Sequence, residues 1–216
     1  MVEFKAKADE IIKERWGIEV EHIRSKWSYN THFYQTHYYK NAKISKPEND
    51  GIYGFPVRVG AWCNSRLKVS CLKSFQKNAA AVYIGIAADE PNRFHNLTET
   101  KRSPLVEAGW TEAMCREWCE KNGLLSPIYT TATRGGCWFC HNQGVDQLRL
   151  LRRNYPEYWA LMLKWDLDSP VSFKSDGHTV HDFDARFALE DKEIITPEEK
   201  WKWTYLADEP IQLKIR

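Results

Sequence analysis

The sequence contains no stretch of about 18 consecutive apolar residues, so no membrane span is expected. It carries little net charge: 31 Lys and Arg against 29 Asp and Glu leave +2. That balance excludes the global basic field of a non-specific nucleic-acid binder. The start, Met1-Val2-Glu3-Phe4-Lys5, has no apolar core of the secretory kind, which argues against export and for a cytoplasmic protein. There is no internal repeat and no low-complexity tract. In a reducing compartment, six cysteines point to reduced thiols, with a metal or redox site favoured over a disulfide frame. Aromatic residues are abundant, with ten Trp, ten Tyr and nine Phe in 216 residues. They supply large core anchors or, alternatively, base-stacking surfaces.

Phe4, Ala8, Ile11, Ile12 and Trp16 recur at helical steps and predict a helix over 4–16, with Gly17 as its C-cap. Ile18 to Ile23 alternates apolar and polar residues and predicts a half-buried strand. Ser28 to Gly60 is long, polar and aromatic. It reads as an exposed hairpin or lid, or else as a surface facing substrate or nucleic acid. His32 and His37 within it read as surface histidines. A helix is predicted over Trp62 to Gln76, with Leu67, Cys71, Leu72 and Phe75 on one face. Ala79 to Ala87 is the strongest strand, apolar on both faces as in a buried parallel sheet. The loop from Gly85 to Arg93 is a site candidate, because open α/β sheets bind ligands beyond the carboxyl ends of their strands. Ser103-Pro104-Leu105 reads as a turn.

Thr111 caps a predicted helix ending at Asn122, with Gly123 just past its end. Cys115 and Cys119 share a face of it and read as buried structural cysteines. Two helices follow, split near Pro156. Arg149, Arg152 and Arg153 read as a solvated face, with phosphate contact as the alternative. Asp182 to Lys192 and Glu198 to Tyr205 predict short helices in a polar tail that packs on the domain.

The densest chemistry is Gly135-Gly136-Cys137-Trp138-Phe139-Cys140-His141. Cys-x-x-Cys turns both sulfurs into one small volume, which suits a metal, a cluster or a reversible disulfide. Reduced thiols in a packed turn are the bland alternative. The letters also fit Cys-x-x-Cys-His haem attachment, which the lack of an export signal disfavours.

Several stretches in order resemble the phosphoadenosine phosphosulfate reductase family, and most closely its phage-type members, within the adenine-nucleotide alpha-hydrolase-like group. They are Trp62-Cys63-Asn64-Ser65-Arg66-Leu67-Lys68; Tyr83-Ile84-Gly85-Ile86-Ala87-Ala88-Asp89-Glu90-Pro91-Asn92-Arg93; Ser103-Pro104-Leu105 with Trp110-Thr111-Glu112; Gly123 to Tyr129 leading into Gly136-Cys137-Trp138-Phe139-Cys140; and Gly177 to Glu190. The resemblance implies an α/β, parallel-sheet domain over 1–168, incomplete at its N-terminus, with a helical C-terminal appendage over 169–216. It implies adenine-nucleotide binding, with sulfur or adenylyl transfer as the reaction class. Two departures stand out. The family's Ser-Gly-Gly-x-Asp-Ser phosphate loop does not occur in this sequence. No cysteine follows Cys140, so the thiol that attacks sulfur in the true reductases has no counterpart, which argues against sulfite-forming chemistry.

By the same resemblance, Cys63, Cys137 and Cys140 match positions that ligate an iron–sulfur cluster in cluster-bearing members. A cluster or a zinc ion needs a fourth ligand. His141 ranks first for it, then a ligand from outside the chain, then Cys71. Arg66, Lys68 and Arg93 are candidates for phosphate contact, since guanidinium forks and an ammonium match phosphate oxygens, and Gly85 allows close approach to the backbone. Solvated basic residues are the alternative. The adjacent acids Asp89 and Glu90 face two directions and do not form a dyad. A second chain supplying the missing strands, or a homodimer, is an expected partner. The competing function is a non-enzymatic, metal-stabilised module that binds nucleic acid or protein.

Overall fold

The computed structural model describes residues 2–37, 51–57, 61–130 and 135–199. It is a mixed α/β structure, 52% helical, whose strands form only two short pairs. The chain divides into two compact units. One is Met1–Lys26 with Asn64–Gly135; the other is Trp27–Cys63 with Gly136–Arg216.

In the first unit, α1 covers Val2–Trp16, and Gly17 ends it in a left-handed conformation (φ 67°) with its N–H on Lys13 O at 2.9 Å. The predicted strand over 18–23 does not form. No strand pairs with it among the described residues, so its alternation has no sheet to face. Instead Glu19 pairs with Lys13 at 2.8 Å and His22 with Asp9 at 2.5 Å, and Ile18 and Val20 stay exposed.

The chain is helical from Trp62 to Gln76, as the apolar spacing predicts, but not uniformly. α3 (Trp62–Asn64) passes through a π-turn (Ser65–Val69) into α4 (Ser70–Gln76). The strand expected over 79–87 shrinks to β3 (Val82–Tyr83). It pairs in parallel with β4 (Lys101–Arg102), Val82 opposite Lys101. It is not buried on both faces: Tyr83 is 66% exposed, and burial begins only at Ile86 and Ala87. Ser103 is buried, donates to Ile86 O at 2.7 Å, and caps α5 (Pro104–Glu107) where a turn was predicted. Thr111 caps α6 (Glu112–Lys121), and Gly123 (φ 69°) follows it, both as expected. Cys115 and Cys119 are half-buried rather than fully buried.

In the second unit, Ser28 caps α2 (Tyr29–Phe33), whose Tyr29, His32 and Phe33 are all buried. The opening of the aromatic stretch is therefore core, and His32 is not a surface histidine. β1 (Thr36–His37) and β2 (Gly51–Ile52) pair antiparallel; residues 38–50 of the predicted loop lie outside the described residues. Gly54 (φ 63°) is a position only glycine fits, since a Cβ there would run into Ser169 Oγ and Pro170 Cδ. α7 (Val145–Asn154) and α8 (Pro156–Asp168) part at Pro156 as predicted. α9 (Val180–Asp191) starts at a capping box between Thr179 and Asp182. These three helices pack on one another around Leu148, Leu151, Trp159, Met162, Phe183 and Phe187. The predicted helix over 198–205 lies for the most part outside the described residues.

Candidate metal centre

The segment Cys137 to Cys140 is a tight turn. Cys140 N–H donates to Cys137 O at 3.0 Å. Gln143 holds the same turn twice, through its N–H to Cys140 O at 3.0 Å and its Nε2 to Cys137 O at 2.6 Å. Lys174 fixes the residues that follow, its Nζ donating to His141 O at 2.6 Å and Gln143 O at 2.5 Å. That ammonium also lies over the rings of Phe173 and Phe183.

The two residues between the cysteines are large because they anchor the turn. Trp138 stacks on Trp165 at 5.6 Å and on Tyr158 at 4.7 Å between centroids. Phe139 packs on Tyr29 at 4.1 Å. Cys63 arrives beside Trp62, which is buried, packs on Tyr29 at 5.0 Å and donates Nε1–H to Gly54 O. Trp62 and Phe139, the sequence neighbours of Cys63 and Cys140, thus pack on one aromatic ring, that of Tyr29.

Tyr29 is 8% exposed, and its hydroxyl is buried with no hydrogen-bond partner. Burial pushes its pKa up, and the potentials of Cys63, Cys140 and Cys137 push it further. The phenol therefore keeps its proton well above neutral pH. His141 Nδ1 is a second buried polar atom without a partner. Burial, then the neighbouring Lys174 ammonium, lowers its pKa, which favours the neutral imidazole that ligates metals. Cys63 and Cys140 are half-buried, Cys137 is exposed, and none of the six cysteines is in a disulfide.

Among the described residues no three His, Cys, Asp or Glu side chains are grouped to hold a metal ion as they stand. The donor types nevertheless fit one. Three thiols and an imidazole with an unpartnered nitrogen make a Cys3His set, which zinc accepts, whereas a cluster draws on four cysteines or a substitute. Ligands that close only when the metal binds are usual for such sites. Cys71 belongs to the other unit, where its thiol turns back on its own helix toward Leu67 O at 3.6 Å.

All four nucleotide-facing candidates lie in the first unit. Arg66 is half-buried and Lys68 exposed, both on the π-turn. Gly85 is open, with nothing within 4 Å of a Cβ built there. Arg93 is gripped by Glu90, with Nη1 at 2.7 and 2.8 Å from its two oxygens. The Arg93 hydrogen bond, then one from Ala87 N–H, lowers the Glu90 pKa. Asp89 Oδ1 accepts from Glu112 N–H at 3.0 Å and so secures the first turn of α6. Both acids thus accept from backbone N–H groups, Glu90 within the loop and Asp89 at the start of α6. A cavity of about 490 Å³ beside α1 is lined by Ala6, Asp9, Glu10, Lys13, Glu19 and Val20, none of them a candidate residue.

Of the three arginines of α7, Arg153 is exposed as read, but Arg149 and Arg152 are not solvated. Arg149 is buried against Glu190, and Arg152 bridges Asp184 at 2.8 Å and Asp191 at 2.5 Å. These guanidiniums are already engaged by carboxylates. The sequence reading missed Tyr29 and Lys174 as parts of the cysteine site.

Comparison of the chain with family models, with curated proteins and with solved structures gives no match.

Proposed function

We propose that the chain is a phosphoadenosine phosphosulfate reductase-like domain in which Cys63, Cys137, Cys140 and His141 hold a structural metal. The tight Cys137–Cys140 turn, pinned by Gln143 and followed by His141, whose buried Nδ1 has no partner, supports this reading. The donor set favours zinc over an iron–sulfur cluster. A bound metal would tie the Cys137–Cys140 turn to the segment at Cys63. The finer fold is a parallel-sheet adenine-nucleotide alpha-hydrolase-like domain, and the parallel pairing of β3 with β4 is compatible with it. In that fold Arg66, Lys68, Gly85 and Arg93 face an adenine nucleotide, and sulfur or adenylyl transfer is the reaction class. A second reading draws on the grip of Glu90 on Arg93: if that guanidinium is structural, the chain is a metal-stabilised binding module for protein or nucleic acid rather than an enzyme.

Metal analysis tests the first claim. Protein purified anaerobically is expected to carry about one zinc per chain, or else iron with acid-labile sulfide. Cys137→Ser should remove the metal and Cys115→Ser should leave it. Fully folded, metal-free wild type would overturn the site, as would equal loss in both variants. Calorimetry with ATP separates the two functions. Heat of binding that Arg66→Ala weakens supports the nucleotide domain. No heat above dilution at millimolar ATP leaves the isolated chain as a module.

A further inference from the structure

Cys137 and Cys140 are the ends of one hydrogen-bonded turn. The bond from Cys140 N–H to Cys137 O at 3.0 Å makes residues 137–140 a β-turn. Such a turn brings its first and last Cα atoms within about 7 Å, and a disulfide spans roughly 4.4–6.8 Å between Cα atoms. The turn is held in this shape by groups other than the sulfurs. Cys137 O accepts a second hydrogen bond, from Gln143 Nε2 at 2.6 Å, and Cys140 O accepts from Gln143 N–H at 3.0 Å. Between the cysteines, Trp138 stacks on Trp165 and Tyr158, and Phe139 packs on Tyr29. The two thiols differ in access: Cys137 is exposed and Cys140 half-buried.

We propose that Cys137 and Cys140 form a reversible intramolecular disulfide by exchange with a soluble disulfide of the glutathione type. The inference needs no metal and stands whether or not one binds. The Cys137 thiolate, as the accessible sulfur, attacks one sulfur of the external disulfide. A bond forms between Cys137 and that sulfur, the external S–S bond breaks, and the other half leaves as a thiolate. Cys140 loses its proton to solvent, attacks the Cys137 sulfur and expels the second half. The protein gives up two electrons and two protons, and the external disulfide becomes two thiols. A dithiol reductant runs the sequence backwards. The preset turn makes the second attack intramolecular, so the mixed disulfide is short-lived. Closing so short a loop removes little entropy from the unfolded chain, so the bond acts as a switch and not as a staple.

The full chain, treated with chelator so that no metal masks the sulfurs, is equilibrated anaerobically in mixtures of reduced and oxidised glutathione. It is then quenched with acid and alkylated in denaturant, and peptide mass spectrometry reads each cysteine. Wild type should lose alkylation at Cys137 and Cys140 together, their peptide lighter by the two thiol hydrogens. Cys71, Cys115 and Cys119 should stay alkylated in the same mixtures, and dithiothreitol should restore the pair. Cys140→Ser should stop at one glutathione on Cys137. Cys137→Ser should take up glutathione at Cys140 more slowly than that. Wild type that keeps a glutathione adduct on Cys137 without closing the bond would overturn the proposal. So would a disulfide from either cysteine to Cys63, or oxidation of the pair no earlier than that of the other thiols. These readouts are on wild type, so a variant that fails to fold does not blunt them. Metal content of the untreated protein is measured separately, and either claim can fail alone.

Discussion

At the scale of single residues, Glu190 carries more than its place on a polar tail suggests. Its carboxylate takes Arg149 Nε at 2.5 Å and Nη2 at 3.0 Å, and Arg186 Nε at 2.8 Å. All three residues are under 9% exposed. Burial alone would push the Glu190 pKa up, but the hydrogen bonds from Arg149 and Arg186 outweigh it, and the net shift is downward. Removing one partner of a buried ion pair leaves uncompensated charge behind. Glu190→Gln is therefore expected to cost about 3–5 kcal/mol in urea unfolding; a loss under about 1 kcal/mol would show the cluster to be solvated. The pH dependence has a definite sign. A carboxylate whose folded pKa lies below its unfolded value stabilises above the unfolded value and loses that contribution as pH falls through the folded one. Wild type should lose stability across that acid range, and Glu190→Gln should lose less there. The sequence shows Arg149 as one of three basic residues on a helix. Nothing local in it reveals that Glu190, from another helix, lies against it.

At the scale of elements, what was legible followed from local chemistry. Thr111 and Gly123 bracket α6, and Pro156 parts α7 from α8, because caps and proline act on their own backbone. The spacing of Leu67, Cys71, Leu72 and Phe75 marks a helix whatever covers it, although Leu72 and Phe75 remain exposed. The strands fared worse because a strand depends on its neighbours. Ile18 to Ile23 alternates correctly but meets α1 instead of a sheet. Ala79 to Ala87 pairs over two residues only. In the candidate site, Cys63, Cys137, Cys140 and His141 were visible as motif letters. Tyr29 was hidden in a stretch that reads as loop. A signal for it was present: Ser28 before an i, i+3, i+4 set of Tyr29, His32 and Phe33 is the start of a short buried helix. Lys174 had no such signal, since its partners are backbone carbonyls.

At the scale of the molecule, the two units differ in how much apolar surface they bury. Among the described residues, the second unit buries Phe33, Phe55, Leu148, Met162, Phe173 and Phe187 almost completely, with the Tyr29 ring network beside them. Among its described residues the first buries only Ile86 and Ala87 of its apolar side chains and leaves Trp16, Phe75, Tyr83 and Met114 exposed. Segments with few buried contacts open with small free energies, while well-packed helices open only on global unfolding. Hydrogen exchange should accordingly show α7, α8 and α9 as the slowest amides, and α4 with the β3–β4 pair exchanging by easier, local openings. The nucleotide candidates Arg66, Lys68, Gly85 and Arg93 belong to the weakly packed unit. A ligand that binds only the closed form stabilises it by mass action. ATP at concentrations well above its Kd should therefore slow exchange around 62–102 and leave 145–191 unchanged. Slowing confined to 145–191 would place the nucleotide elsewhere, and equal protection of both units in the free protein would mean that packing density does not set the order of opening.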